Sequence, residues 1–122
     1  MNFNEKVLNL IDSIDHVTGT RKELPDKIRE YMDELRNLIC DTIVIDTITE
    51  QEYRVGPYIY FIGDDNYIEG ELNINLISAK ENVIGNTIAK IRCIKERNNM
   101  HNIIPLKDVL FTGKKWSSHK IT

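Results

Sequence analysis

The sequence predicts an α+β fold: two N-terminal helices followed by an antiparallel sheet of four to six strands. Three observations carry this expectation. Apolar residues recur at spacings of three and four through the first 40 positions. After Asp41 the period falls to two and β-branched residues dominate. Finally, 122 residues of which 41% are apolar make one compact domain rather than two. We therefore read residues 1–122 as a single domain, with a helical pair over 1–40, a sheet over 41–112 and a basic C-terminal tail over 113–122.

In the first helix Phe3, Val7, Leu10, Ile11 and Ile14 form one apolar stripe, and the turn residues of 16–20 end it. The second helix begins near Pro25, which is tolerated only in a first turn. Its apolar face runs from Leu24 through Ile28, Tyr31, Met32, Leu35, Leu38 and Ile39 to Cys40. The opposite face carries Asp26, Arg29, Glu30, Asp33 and Arg36, with opposite charges three or four apart.

Strands are expected over 42–45 and 47–49, then over 53–55, interrupted by Gly56-Pro57, and over 58–62. Gly63-Asp64-Asp65-Asn66 reads as a four-residue hairpin loop, and 67–76 as the half-exposed return strand. Gly85-Asn86 marks a turn before a strand over 87–95, and 97–102 another before Ile103-Ile104. Pro105 limits pairing, so 106–109 reads as one helical turn before a last strand over 110–112. The same layout fits a small SH3-like or Sm-like barrel; an open sheet with the helices on one face is preferred.

Charge is unevenly distributed. Residues 86–122 hold eight basic and two acidic side chains, a net +6, while residues 1–85 hold eight basic and seventeen acidic, a net −9. Such segregation attracts anions to one part of the chain and cations to the other, or pairs one part with its own complement. The opposite charges also suit a homo-oligomer. No segment approaches the roughly 18 apolar residues that a membrane span needs, so a cytoplasmic protein is expected. Cys40 and Cys93 sit in apolar patterns and read as small buried hydrophobes rather than a disulfide. Abundant Ile and Asn beside only two alanines match an AT-rich genome, a low-GC bacterium or a phage or mobile element within one.

Catalytic signatures are missing. His16, His101 and His119 are widely separated, and no paired cysteines or helical histidine pair make a metal site. No nucleophile elbow and no phosphate-binding loop occur. Asp64 and Asp65 suit a turn, and Glu69 and Glu71, on one face of a strand, read as exposed solubilising residues rather than paired catalytic carboxylates. No enzyme, metal or cofactor is therefore expected.

The remaining functional signal is basic. Alternation puts Lys90 and Arg92 on one strand face about 7 Å apart, and Arg97, Asn98, Asn99 and His101 follow in the adjoining loop. With Arg54, and with Tyr53, Tyr58 or Trp116 for stacking, these residues suit an anionic nucleotide-like ligand. The predicted site is Arg54, Lys90, Arg92, Arg97, Asn98 and Trp116, in a non-catalytic binding protein that captures such a ligand, for example a defence signal sequestered by a phage. Long duplex DNA fits poorly, because the acidic portion repels a phosphate backbone. The alternative from the same sequence is an inhibitor or adaptor that meets a protein partner through exposed tyrosines and the acidic helical face of Asp26, Glu30, Asp33 and Glu34.

Overall fold

Asn2 starts the first helix because its side-chain oxygen accepts from the Glu5 amide at 2.8 Å, satisfying a first-turn donor. The computed structural model describes residues 2–67, 69–78, 83–84, 89–91 and 104–116. Helix α1, Phe3–Asp15, buries Val7, Leu10, Ile11 and Ile14, the expected stripe. Helix α2, Leu24–Ile39, has Pro25 in its first turn and buries Leu24, Ile28, Met32, Leu35 and Ile39. Its entry is a reciprocal cap: the Thr20 carbonyl accepts the amides of Glu23 and Leu24. In return the Thr20 hydroxyl and amide hold the Glu23 carboxyl below the usual carboxylate range.

Only Cys40 and Asp41 separate α2 from β1, Thr42–Asp46. The other strands are β2, Glu52–Gly63; β3, Gly70–Ser78; β4, Val83–Ile84; β5, Ala89–Ile91; and β6, Val109–Lys115, which follows a 3-10 turn over Leu106–Asp108. All pairings are antiparallel, in the order β4-β3-β2-β1-β6, with β5 also on β3. Because β2 already fills one edge of β3 at Gly70, Glu71 and Leu72, β5 takes the opposite edge at the same residues, the edge that β4 holds at Leu76 and Ile77. The two short strands therefore run in one direction along β3, with a one-residue slip between them. Among the described residues no pairing joins β6 to β4 or β5, so the sheet is open, the α+β arrangement expected, and not a barrel.

Register assigns the two faces. Val44 lies opposite Tyr53 and Phe111, Val55 opposite Leu76, and Ile59 opposite Ile74; these residues form the inner face, which joins Val7, Ile14, Leu35 and Ile39 of the helices in one core. In β2 two extra residues intervene between Val55 and Ile59, so Gly56-Pro57 bends a continuous strand instead of dividing two, and β6 carries an irregularity of the same size between Phe111 and Lys115. In β6, Gly113 takes a positive φ of 77°, and the ring of Phe3 occupies the space a Cβ would need, 2.8 Å from that position.

Four local expectations are corrected. Residues 47–49 form a turn rather than a strand, because the Asp46 carboxylate accepts the amides of Ile48 and Thr49 at 2.9 and 3.4 Å. The hairpin loop spans 64–69, longer than four residues, because Asp64 and Glu69 bond through their backbones and Tyr67 departs from strand geometry. The first three residues of the expected tail, Gly113, Lys114 and Lys115, belong to β6. Glu71 is only 5% exposed, so it is not a solubilising residue. Cys40 is a free thiol and its Sγ lies 4.0 Å from the Gly56 carbonyl oxygen; Cys93 and the expected turns at 85–86 and 97–102 lie outside the described residues. No helix among those described is long and apolar enough to cross a membrane.

Candidate functional site

The structure does not gather the described members of the predicted basic site. Arg54 pairs with Ile43 and Ile77, and its Nε lies 3.6 Å from the Asp41 carboxylate. Lys90 is the Cα partner of Glu71. Since Glu71 and Ile77 are six residues apart on β3, Arg54 and Lys90 are separated by about 20 Å along the strand direction. Arg54 also has an acidic neighbour in the fold, Asp41. Arg92, Arg97 and Asn98 lie outside the described residues. Tyr53 is in the core, its hydroxyl donating to Gln51 at 2.6 Å, and burial followed by the Asp46 charge pushes its pKa up. It is not a stacking platform.

Trp116 does come close to Arg54, through one residue. Asp41 follows α2 in the left-handed region at φ 64°; its amide donates to the Val55 carbonyl, its carbonyl accepts the Trp116 amide at 2.8 Å, and its carboxylate faces Arg54. Lys115 lies on the other side of β1, opposite Thr42, about 10 Å from the Arg54 strand position.

A better-formed site lies at the seam between α2 and the β2–β3 hairpin, where a cleft of about 200 Å³ opens. The buried pair Ile28 and Met32, placed there by α2 periodicity, lines it together with Tyr60, Phe61 and Tyr67. Arg36 fixes the seam: its Nε donates to the Ile59 carbonyl at 2.8 Å and its Nη1 to Asp33 at 2.9 Å. Arg29, on the same rim, lies 3.5 Å from Asp26. Phe61 projects over Gly70, where any Cβ would overlap the ring, and Tyr67 stacks on Phe61 with centroids 6.3 Å apart and an interplanar angle of 12°.

Tyr67 is held at φ 57°, an unusual conformation for a bulky side chain that costs of order 1–3 kcal/mol. The loop enforces it: the Tyr67 amide donates to the Asp64 carbonyl, the Asp64 amide to the Glu69 carbonyl, and the Asn66 amide to the Asp64 carboxylate at 3.1 Å. The same loop is acidic. Residues 55–79 include Asp64, Asp65, Glu69 and Glu71 and no lysine or arginine, and Asp64 and Asp65 are exposed. The sequence did not reveal this cleft because it places Tyr67 in a strand, the return strand over 67–76, rather than in the loop. The legible signal was a pair of glycines, Gly63 and Gly70, flanking a turn that holds one aromatic residue, Tyr67.

A wider, polar groove of about 520 Å³ lies between the end of α1 and α2, lined in part by Asp12, His16, Lys27, Glu30 and Tyr31. There His16 Nδ1 approaches the Asp12 carbonyl at 3.0 Å and its carboxylate at 3.1 Å, with Asp15 at 3.9 Å. The Asp12 carbonyl and then the Asp12 charge raise the histidine pKa. This grouping of His16 with two carboxylates, unanticipated from the spread of histidines, is the ordinary consequence of i,i+3 and i,i+4 neighbours on one helix face.

The fold and cleft define a class: an open antiparallel sheet with a helical pair on its inner face and a side-chain-sized aromatic cleft at the helix–sheet seam. No family model, curated protein or solved structure matches the chain.

Proposed function

We propose that the chain is a non-catalytic binding protein, an inhibitor or adaptor that docks an acidic, aromatic-lined face onto a basic surface of a protein partner. The observation that carries this reading is the aromatic cleft, with Arg29 and Arg36 on its rim, beside a loop whose Asp64 and Asp65 are exposed. A basic surface is steered toward the acidic loop and the acidic face of α2. Tyr58, Tyr60 and Ile62, 67%, 43% and 47% exposed, extend an apolar stripe from the cleft along β2. Tyrosine, methionine and arginine are the residue types enriched where interfaces concentrate binding energy. Exposed Asp26, Glu30, Asp33 and Glu34 continue the negative charge along α2.

The test is site-specific photocrosslinking from position 58 in the native host. One partner with a basic surface is expected, lost in Asp64→Lys/Asp65→Lys and retained in Lys114→Glu/Lys115→Glu. A crosslink indifferent to the first pair and abolished by the second overturns the reading.

A second reading, capture of an anionic nucleotide-like ligand, is favoured by one observation: Asp41 ties Trp116 and Arg54 into a single corner with Lys115 across β1. Native mass spectrometry tests it, because a nucleotide mass released on partial unfolding and absent from Arg54→Ala protein supports the corner.

A further inference from the structure

We infer that the cleft between α2 and the β2–β3 hairpin is a binding site for a small aromatic monocarboxylate, one ring carrying a short acidic tail. The inference goes beyond the protein-partner reading and does not depend on it. Size comes first. An apolar cavity of about 150 Å³ takes up a benzene ring, whereas drug-sized ligands occupy ~300–1,000 Å³. At about 200 Å³ this cleft has room for one ring and little more. Chemistry comes second. Ile28, Met32 and the rings of Phe61 and Tyr67 offer an apolar surface to the ring. Among the described residues the charged part of the lining is two arginines, Arg29 and Arg36, and no carboxylate.

The two cations differ in how firmly they are held. Arg36 has its Nε on the Ile59 carbonyl at 2.8 Å and its Nη1 on Asp33 at 2.9 Å, so it is a fixed wall of the cleft. Arg29 meets Asp26 at 3.5 Å, with the two side chains 71% and 75% exposed. A pair so exposed is worth little. A carboxylate whose ring is seated on the apolar surface therefore competes with Asp26 for the Arg29 guanidinium, and its two oxygens accept from that planar fork. A cationic ligand meets two like charges at the same lining. Inorganic phosphate finds the charge but gains nothing from the rings, and a neutral ring buries the same surface without the charge-assisted contact. The left-handed Tyr67 supplies an independent pointer, because backbone strain of this kind concentrates at ligand clamps, where the surrounding loop fixes a ring in place ahead of binding.

The experiment is a titration of the full chain, followed by NMR, with phenylpropionate, its neutral and cationic counterparts phenylpropanol and phenylpropylamine, acetyl-Gly-Phe and inorganic phosphate. Phenylpropionate is expected to saturate shifts at Tyr60, Phe61 and Tyr67. Its affinity should exceed that of the alcohol by about tenfold, the weight of one charge-assisted contact, and that of the amine by more. Acetyl-Gly-Phe presents the same ring and carboxylate at a chain end and should bind less tightly, because its peptide groups find no room in so small a cleft. Arg29→Gln should remove most of the preference for the acid over the alcohol. Asp26→Asn, which takes away the competing carboxylate, should raise the affinity for the acid about twofold. Both positions are exposed, so the fold survives either change, and Tyr58→Ala, outside the cleft, should alter neither result. Equal or tighter binding of the alcohol, the amine or acetyl-Gly-Phe overturns the inference. So does saturation of the same residues by phosphate, an acid preference indifferent to both α2 substitutions, or no saturation by phenylpropionate.

Discussion

Asp41 concentrates more structural duties than any other described residue outside the core. It ends α2, starts the approach to β1, and bonds to β2 and to the end of β6, all in a left-handed conformation that asparagine or glycine adopts more readily. Gly70 is the counterpart at the cleft. Adding a single Cβ drives Phe61 off its position, so Gly70→Ala is expected to cost about 1–3 kcal/mol in chemical denaturation. In a Phe61→Leu background, where the ring is gone, the same substitution should cost less than about 1 kcal/mol. Equal costs in both backgrounds would show that Phe61 is not what excludes the methyl group. The sequence places Gly70 inside the expected return strand, yet the ring it accommodates belongs to the neighbouring strand and becomes visible only in the register Phe61↔Leu72 beside Gly63↔Gly70.

At the scale of elements, both helices were legible nearly to the residue, because a stripe at spacings of three and four survives in any environment that buries one face. The strands were less so. Asp46 and Asp64 cap turns with their own carboxylates, and such side-chain bonds override the β-branched run at 47–49 and lengthen the hairpin loop. A further link joins distant elements: the Asn4 side-chain oxygen in α1 accepts the Phe111 amide of β6 at 2.9 Å, so a helix covers a donor of the edge strand. Asn4→Ala leaves that half-buried amide without its partner and is expected to cost about 1–3 kcal/mol. Hydrogen exchange at Phe111 should accelerate with it. Unchanged protection would mean that water replaces the asparagine.

At the scale of the whole molecule, β1 sits between a neighbour in sequence, β2, and a strand more than sixty residues away, β6. Phe111 and Val109 of β6 complete the inner face over which the helices pack. A chain ending after Asp108 is therefore expected to lose its cooperative unfolding transition and near-ultraviolet circular dichroism, since β1 gains an open edge and the core loses a fully buried ring. Retention of a sharp transition would show that α1, α2 and β1–β3 form a core sufficient by themselves.

The sequence by itself determined the α+β class, the two helices, the apolar set that forms the core and the uneven distribution of charge, because these are read from period and composition, which act locally. Tertiary structure alone decided where the charges stand with respect to one another. Alternation along one strand keeps its residues together, but register separates Arg54 from Lys90 by several residues of β3. The same register, with α2 packed across the seam, brings Met32, Tyr60 and Tyr67 from three separate segments into one cleft. Juxtaposition across strands is a property of pairing, and pairing is fixed by which faces can be buried together rather than by the order of residues along the chain.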